Sequence, residues 1–369
     1  MPSLSSSRAG RFAANVLLVT ASTCFALGVI EVALRVLDVD VASYHAIGGF
    51  TTYDPELGWV LTPSRQTIFR GAHFTVRVLQ NGEGLRARHY PYARDPARRR
   101  IVVLGDSAVW CWGVEASECF TALLEDSLEQ TDVINTGVPA WSTAQEMLFY
   151  EREGRRYGAD LVLLLVVPND PWENVAGYGP RFRLDGERLV ETHVPVPRRK
   201  NAATEWLQAH SNLFAQMTYL TTVTVRTIGA QVAALRRRRT HRAPNPPEAT
   251  SSPVEEGSFA REALPRDDPS YAVTEALLGR LADDVHADGA RFALVLEAMP
   301  RRMGDRIREF SRVRNIPCID LGPPLQQAEA RGVRTRLLGD PHLGPEGQAI
   351  AAAAVRDFLA RNPLSLATN

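Results

Sequence analysis

The sequence predicts an α/β fold: a three-layer α/β/α sandwich around a central parallel sheet, preceded by an N-terminal transmembrane helix and a small β-rich segment. Three observations predict it. Short apolar runs at residues 101–104, 161–167 and 292–296 each stop at a turn. Segments of helical periodicity separate them at the spacing of βαβ units. Residues 13–30 carry no charge at all. Strands that are apolar throughout, rather than alternating, are buried on both faces, as in a parallel sheet covered by helices.

The uncharged N-terminal stretch comes first. About eighteen helical residues at about 1.5 Å each cover roughly 27–30 Å, the thickness of a hydrocarbon core. Arg8 and Arg11 precede it, whereas Glu31, Asp38 and Asp40 outweigh Arg35 after it. The positive-inside rule then leaves residues 1–12 in the cytoplasm, makes residues 13–37 a single-pass signal anchor, and puts the rest on the periplasmic or extracellular side. A cleaved signal peptide has the same charge order. It fits less well, because the apolar stretch is longer than an ordinary signal core and runs on through Glu31, Val32, Ala33 and Leu34 without a small-x-small site. Ala21-Ser22-Thr23-Cys24 is a poor match to a lipoprotein processing site.

Residues 46–96 form the β-rich lead-in. Residues 51–78 mix β-formers with turn residues, and Asn81-Gly82-Glu83-Gly84 reads as a turn between strands. Residues 91–100 are a polar, basic linker. The main domain then occupies residues 97–363. Its first helix carries the apolar stripe Phe120, Leu123, Leu124, Leu128; residues 132–135 are the next strand. Ser142-Thr143-Ala144-Gln145 has capping-box spacing and opens a helix expected to run to Tyr157, with Gly158 as terminator. Asp268-Pro269 starts a helix that Gly289 ends, residues 316–320 are a last strand, and Pro345 opens the final helix. Residues 176–267 break the pattern as an insertion of loop and proline-rich polar sequence, with one helix between Ala203 and Arg239. The run Arg236-Arg237-Arg238-Arg239 reads first as a solvated helix end and second as a contact for an anionic polymer or headgroup.

Composition narrows the function. The 369 residues hold 42 basic and 42 acidic side chains, so no global field draws the chain to nucleic acid. The eight histidines show no metal-ligand spacing and there is no glycine-rich phosphate loop, so neither a metal nor a cofactor is expected. Outside the anchor three cysteines remain, an odd number that gives no disulfide framework. Cys111 and Cys119 can pair across the loop after Ser107 or stay as buried thiols.

Four blocks carry the chemistry: Gly105-Asp106-Ser107 after the first strand, Asn135-Thr136-Gly137-Val138-Pro139 after the second, Pro168-Asn169-Asp170 after the third, and Asp340-Pro341-His342 before the final helix. In an open parallel sheet, residues just past the strand ends converge on one site. A serine there needs a base to take its proton, and His342 is the histidine with a carboxylate beside it and a helix behind it. In this order the blocks resemble the SGNH (GDSL-type) hydrolase family, over roughly residues 97–175 and 270–360, with a lead-in like that of membrane-anchored members.

The resemblance implies Ser107 as nucleophile, His342 as base, and an oxyanion hole from the backbone N–H groups of Ser107 and Gly137 and the side-chain amide of Asn169. It departs in one place. Most members carry the aspartate three residues before the histidine, where Gly339 stands here; Asp340 is two before. That spacing is similar to members handling O-acetyl groups in exopolysaccharide secretion. Two arrangements stay open: a triad completed by Asp340, or a dyad supported by a backbone carbonyl. Trp110, Trp112 and Trp141 flank these blocks, as a sugar-stacking platform or as core. The expected activity is a serine esterase acting on acetyl esters of a cell-surface or secreted carbohydrate. The rivals are a polysaccharide O-acyltransferase with the same residues, and a non-catalytic polysaccharide-binding or assembly protein.

Overall fold

A computed structural model describes residues 8–37, 50–71, 73–198, part of 201–221, 268–297 and 299–362. The arginine run at 236–239 and the proline-rich stretch around it lie outside the described residues. The chain divides into two compact units.

The first unit is built on helix α1, Arg8–Val36. Its stretch Gly10–Val36 is long and apolar enough to cross a membrane, with a mean hydropathy of 2.1 and none of that window buried. Within the same unit, Glu31 near the end of α1 accepts hydrogen bonds from Ser211 Oγ at 2.9 Å and from the backbone N–H groups of Asn212 and Leu213 at 3.0 and 2.8 Å. A carboxylate from one helix thus satisfies the open amide groups at the start of another.

The second unit holds the sheet. Two antiparallel hairpins come first: β1 (Thr51–Asp54) with β2 (Gly58–Leu61), and β3 (Gln66–Arg70) with β4 (Thr75–Leu79). Strand β5 (Arg99–Leu104) leads to helix α2 (Phe120–Ser127), β6 (Thr131–Asn135), α3 (Thr143–Arg152), β7 (Leu161–Val166) and α4 (Asp170–Ala176). The insertion opens with a further hairpin of β8 (Phe182–Asp185) and β9 (Arg188–Glu191), where sequence periodicity gave only irregular chain. After it come α5 (Pro269–Ala287), β10 (Arg291–Leu296), α6 (Arg301–Val313), β11 (Cys318–Asp320), α7 (Gly322–Ala330) and α8 (Pro345–Arg361).

The central sheet is five-stranded, all parallel, in the order β11-β10-β7-β5-β6. Alternate strand residues feed the two layers. Ile101, Val103, Leu163, Leu165 and Val295 point into the cluster under α2 and α8, and their neighbours in sequence point the other way. On that second face α5 packs on α3 and α4. The capping box at Ser142 is present, with Ser142 N–H donating to Gln145 Oε1 at 3.1 Å. The helix it opens stops at Arg152, short of Tyr157, and the chain continues as a 3₁₀ turn until Gly158, whose φ of 59° reverses it.

The strand order turns back on itself between β5 and β7. The chain adds β6 on one side of β5 and every later strand on the other. At such a switch point the loops leaving adjacent strand ends diverge and open a crevice.

Candidate active site

Ser107 sits in the loop leaving β5, and Gly105 is what lets that loop fold tightly: a Cβ there would lie 2.3 Å from the Val109 side chain. Gly137, leaving β6, is confined more severely, because its Cβ would stand 2.3 Å from Trp110 N and 2.6 Å from Val109 C. Absence of a side chain at Gly137 therefore serves the packing of two loops against each other. Asn135 ties the same loops, donating to Val109 O at 2.6 Å and accepting from Gly137 N–H at 3.0 Å.

His342 arrives from the far end of the chain. Its loop is closed by Leu337 N–H to His342 O at 3.0 Å and Gly344 N–H to Thr335 O at 2.9 Å, and Arg336 holds the Pro341 carbonyl. His342 Nε2 lies 2.8 Å from Ser107 Oγ, and Nδ1 lies 2.6 Å from Asp340 Oδ1, which also accepts from the His342 backbone N–H at 2.9 Å. Burial by itself would raise the Asp340 carboxyl, but the hydrogen bonds and charge of His342 hold it below the usual range. Of the two arrangements open in the sequence, the structure contains the one with a carboxylate on Nδ1. A buried anion there fixes Nδ1 as the protonated nitrogen and leaves Nε2 to receive a proton from the serine.

Asp106 points elsewhere. Its carboxylate accepts from Ala108 N–H at 2.9 Å and lies 3.3 Å from Ser107 Oγ, tethering the turn. Full burial pushes its pKa up.

Asn169, just past the end of β7, stands at the N-cap position of α4 without a side-chain capping bond. Its amide donates to Glu173 Oε2 at 2.9 Å, while its Oδ1 is buried without a partner. Both donors expected from Gly137 and Asn169 are thus engaged within the protein. Asn169 keeps a second amide hydrogen; the single N–H of Gly137 would have to be shared with Asn135.

The three tryptophans are not a sugar platform. Trp110, Trp112 and Trp141 are 0%, 7% and 1% exposed. Trp110 stacks on Phe50 at 4.8 Å, and Trp141 donates to Trp59 O at 2.9 Å. Aromatic rings of this size are drawn inward wherever their N–H or edge finds a partner. Trp112 lies flat on the His342 ring, centroids 5.3 Å apart. Of the two possibilities open for the cysteines after Ser107, the structure has the pair: Cys111 and Cys119 form a disulfide with Cα atoms 5.5 Å apart, and among the described residues Cys24 and Cys318 are free.

Several residues of the site were not singled out by sequence. Arg86, from the lead-in, is buried under the Ser107 loop and donates to the carbonyls of Trp110, Cys111 and Val114 at 2.9, 2.8 and 2.6 Å. Burial pulls its pKa down to about 10, with Glu115 opposing. No local pattern marks such a contact. Glu173 was findable: four residues after Asn169 on a helix places it on the same face. Around it lie the buried carboxyls of Asp106, Glu146 and Asp170, all pushed upward by burial, and Glu146 and Asp170 also by neighbouring carboxylates. Among the described residues there is no group of side chains suited to hold a metal ion.

No protein-family model matches the chain, and no curated relative matches it. Solved structures do. A lipolytic protein of the G-D-S-L family from Veillonella parvula is 11% identical with a TM-score of 0.41, covering 72% of this chain and 100% of its own. A psychrotrophic esterase from Pseudoalteromonas is 12% identical with a TM-score of 0.39, covering 71% of this chain and 97% of its own. An acetyl xylan esterase is 12% identical with a TM-score of 0.35, covering 70% of this chain and 99% of its own.

Proposed function

We propose that this protein is a membrane-anchored serine esterase that forms an acyl-enzyme on Ser107. The observation that carries the reading is the chain of contacts from Ser107 Oγ to His342 Nε2 at 2.8 Å and from His342 Nδ1 to Asp340 at 2.6 Å. As Ser107 attacks an ester carbonyl, its proton passes to Nε2, and Asp340 stabilises the imidazolium. The tetrahedral oxyanion is met by the backbone N–H of Ser107 and the amide of Asn169, with Gly137 N–H joining if it leaves Asn135. His342 returns the proton to the departing alcohol oxygen. Water, deprotonated by the same nitrogen, then releases the acid and frees Ser107.

We take the substrate to be a short acyl ester, acetyl foremost, on a carbohydrate outside the membrane. The anchor supports that side: arginines before α1 and acidic residues after it favour an outward-facing domain. The buried tryptophans lend the carbohydrate no support, so it rests on location. Transfer of the acyl group to a sugar hydroxyl needs only that the hydroxyl outcompete water at the same acyl-enzyme.

Turnover of p-nitrophenyl acetate by the full chain in detergent tests the reading. Ser107→Ala and His342→Ala each lower kcat by roughly 10³-fold or more, and Asp340→Asn by roughly 10²–10⁴-fold. A fluorophosphonate labels Ser107 in the wild type alone. A folded wild type that neither turns over esters nor takes the label would end the esterase reading in favour of a binding protein. Transfer of acetyl to an added polysaccharide without release of free acetate would replace hydrolase by transferase.

A further inference from the structure

The Asn169–Glu173 contact leaves a buried oxygen unsatisfied, and that is unusual enough to need a reason. Buried polar atoms nearly always find a partner. Here Asn169 Nδ2 donates to Glu173 Oε2 at 2.9 Å, while Asn169 Oδ1 has none. An amide has an acceptor on one side and two donors on the other, and rotation by half a turn exchanges them. Which side faces Glu173 depends on what Glu173 offers. An ionised carboxylate only accepts and takes an N–H. A protonated carboxyl also donates, and can satisfy Oδ1 instead.

The groups facing Glu173 are acids. Asp106 stands on the nucleophile loop, Asp170 at the start of α4, and Glu146 on α3, each coupled to it electrostatically. Burial foremost, and Asp106 with it, push Glu173 up to about 8, against the Asn169 hydrogen bond that lowers it. Near neutral pH both forms are therefore within reach.

We propose that Glu173 is a positioning residue whose proton decides how many amide hydrogens Asn169 presents to the acyl group on Ser107. With Glu173 protonated, its O–H is held by Oδ1 and both amide hydrogens are aimed at the oxyanion. With Glu173 ionised, it draws one amide N–H to itself, as in the structure, and only the second is left for the oxyanion. The inference rests on the reading of Asn169 as an oxyanion donor.

Two measurements test it on the full chain in detergent micelles. The first needs no turnover: the side-chain ¹⁵N–H signals of Asn169, assigned by their loss in Asn169→Asp, are followed from pH 6 to 9.5. They shift with a midpoint near 8 in the wild type and stay flat in Glu173→Gln. The second is the pH dependence of kcat for a short ester. The wild type loses activity above about pH 8, toward the roughly 10²-fold that loss of one oxyanion donor costs. Glu173→Gln, whose amide can still donate to Oδ1, has no alkaline limb and restores most of the roughly tenfold kcat lost in Glu173→Ala, with KM within twofold throughout. Asn169 signals that do not move overturn the coupling, whether or not the protein turns over esters. Signals that move beside an alkaline limb retained in Glu173→Gln overturn its part in catalysis. Absence of ester turnover in the wild type sinks the esterase reading, while the titration still decides the contact.

Discussion

The indole of Trp112 lies parallel to the imidazole of His342, with ring centroids 5.3 Å apart and planes inclined by 21°. Trp112 is itself wedged edge-on against Phe69 at 4.6 Å, so the His342 ring is backed by a fixed wall. A histidine that must accept a proton at one atom cannot swing freely, and a flat neighbour removes the rotations that would take Nε2 away from Ser107. We predict that Trp112→Ala lowers kcat for a short ester by roughly tenfold with little change in KM, while Trp112→Phe retains most of it. The basis is that misplacement by about 1 Å is costly in catalysis. Equal loss in both variants would mean that the indole acts through something other than its flat face.

Arg86 holds the same loop from below. Its guanidinium reaches three main-chain carbonyls of that loop and that of Arg77, and covers the Trp110 ring at 4.6 Å. Arg86→Ala strands those buried acceptors, and we predict a loss of roughly 3–5 kcal/mol in urea unfolding. Arg86→Lys recovers little, since an ammonium on a flexible stem cannot reproduce the planar fork. Recovery of most of the stability by lysine would show that charge alone is what the loop needs.

The disulfide between Cys111 and Cys119 closes a loop of sequence separation 8 shortly after Ser107. By the loop-entropy relation, its removal in Cys111→Ser/Cys119→Ser costs about 2–3 kcal/mol. Thiol titration of the unfolded wild-type chain gives two free cysteines before reduction and four after. Four before reduction would mean the bridge does not form.

Stability depends on pH through the buried acids. Asp106, Glu146, Asp170 and Glu297 all have carboxyls raised by burial. A carboxyl with a raised folded-state pKa binds its proton more tightly when folded. Its contribution is complete below the unfolded value of about 4–4.5 and is lost as pH climbs toward the folded value. We predict stability falling from pH 5 to 8. Glu146, with neither oxygen partnered, is the best single test. Glu146→Gln makes the fall shallower by up to about 1.4 kcal/mol per pH unit. An unchanged slope would place Glu146 outside the titrating set.

The sequence by itself determined the succession of the five sheet strands along the chain, the apolar N-terminal helix and the four motif blocks. Each of these is local. A doubly buried strand is a run of apolar residues, a turn needs glycine or proline, and a helix start needs a cap, so Ser107, Gly137, Asn169 and His342 could be read from their own neighbourhoods. The 182–191 hairpin went unread because its strands are short and polar. What only the tertiary structure decided were the relations across long stretches of chain. Asp340, rather than a carbonyl, lies on His342. Trp112 stacks on the ring of His342 instead of lying open to a sugar. Arg86 holds a loop more than twenty residues away. Gly137 is bare because Val109 and Trp110 press against it. These depend on which surfaces meet once the sheet has closed, and a residue's chemistry does not announce its neighbours. Even for Glu173, one helical turn from Asn169, it is burial and the Asp106 carboxyl folded beside it that raise its pKa.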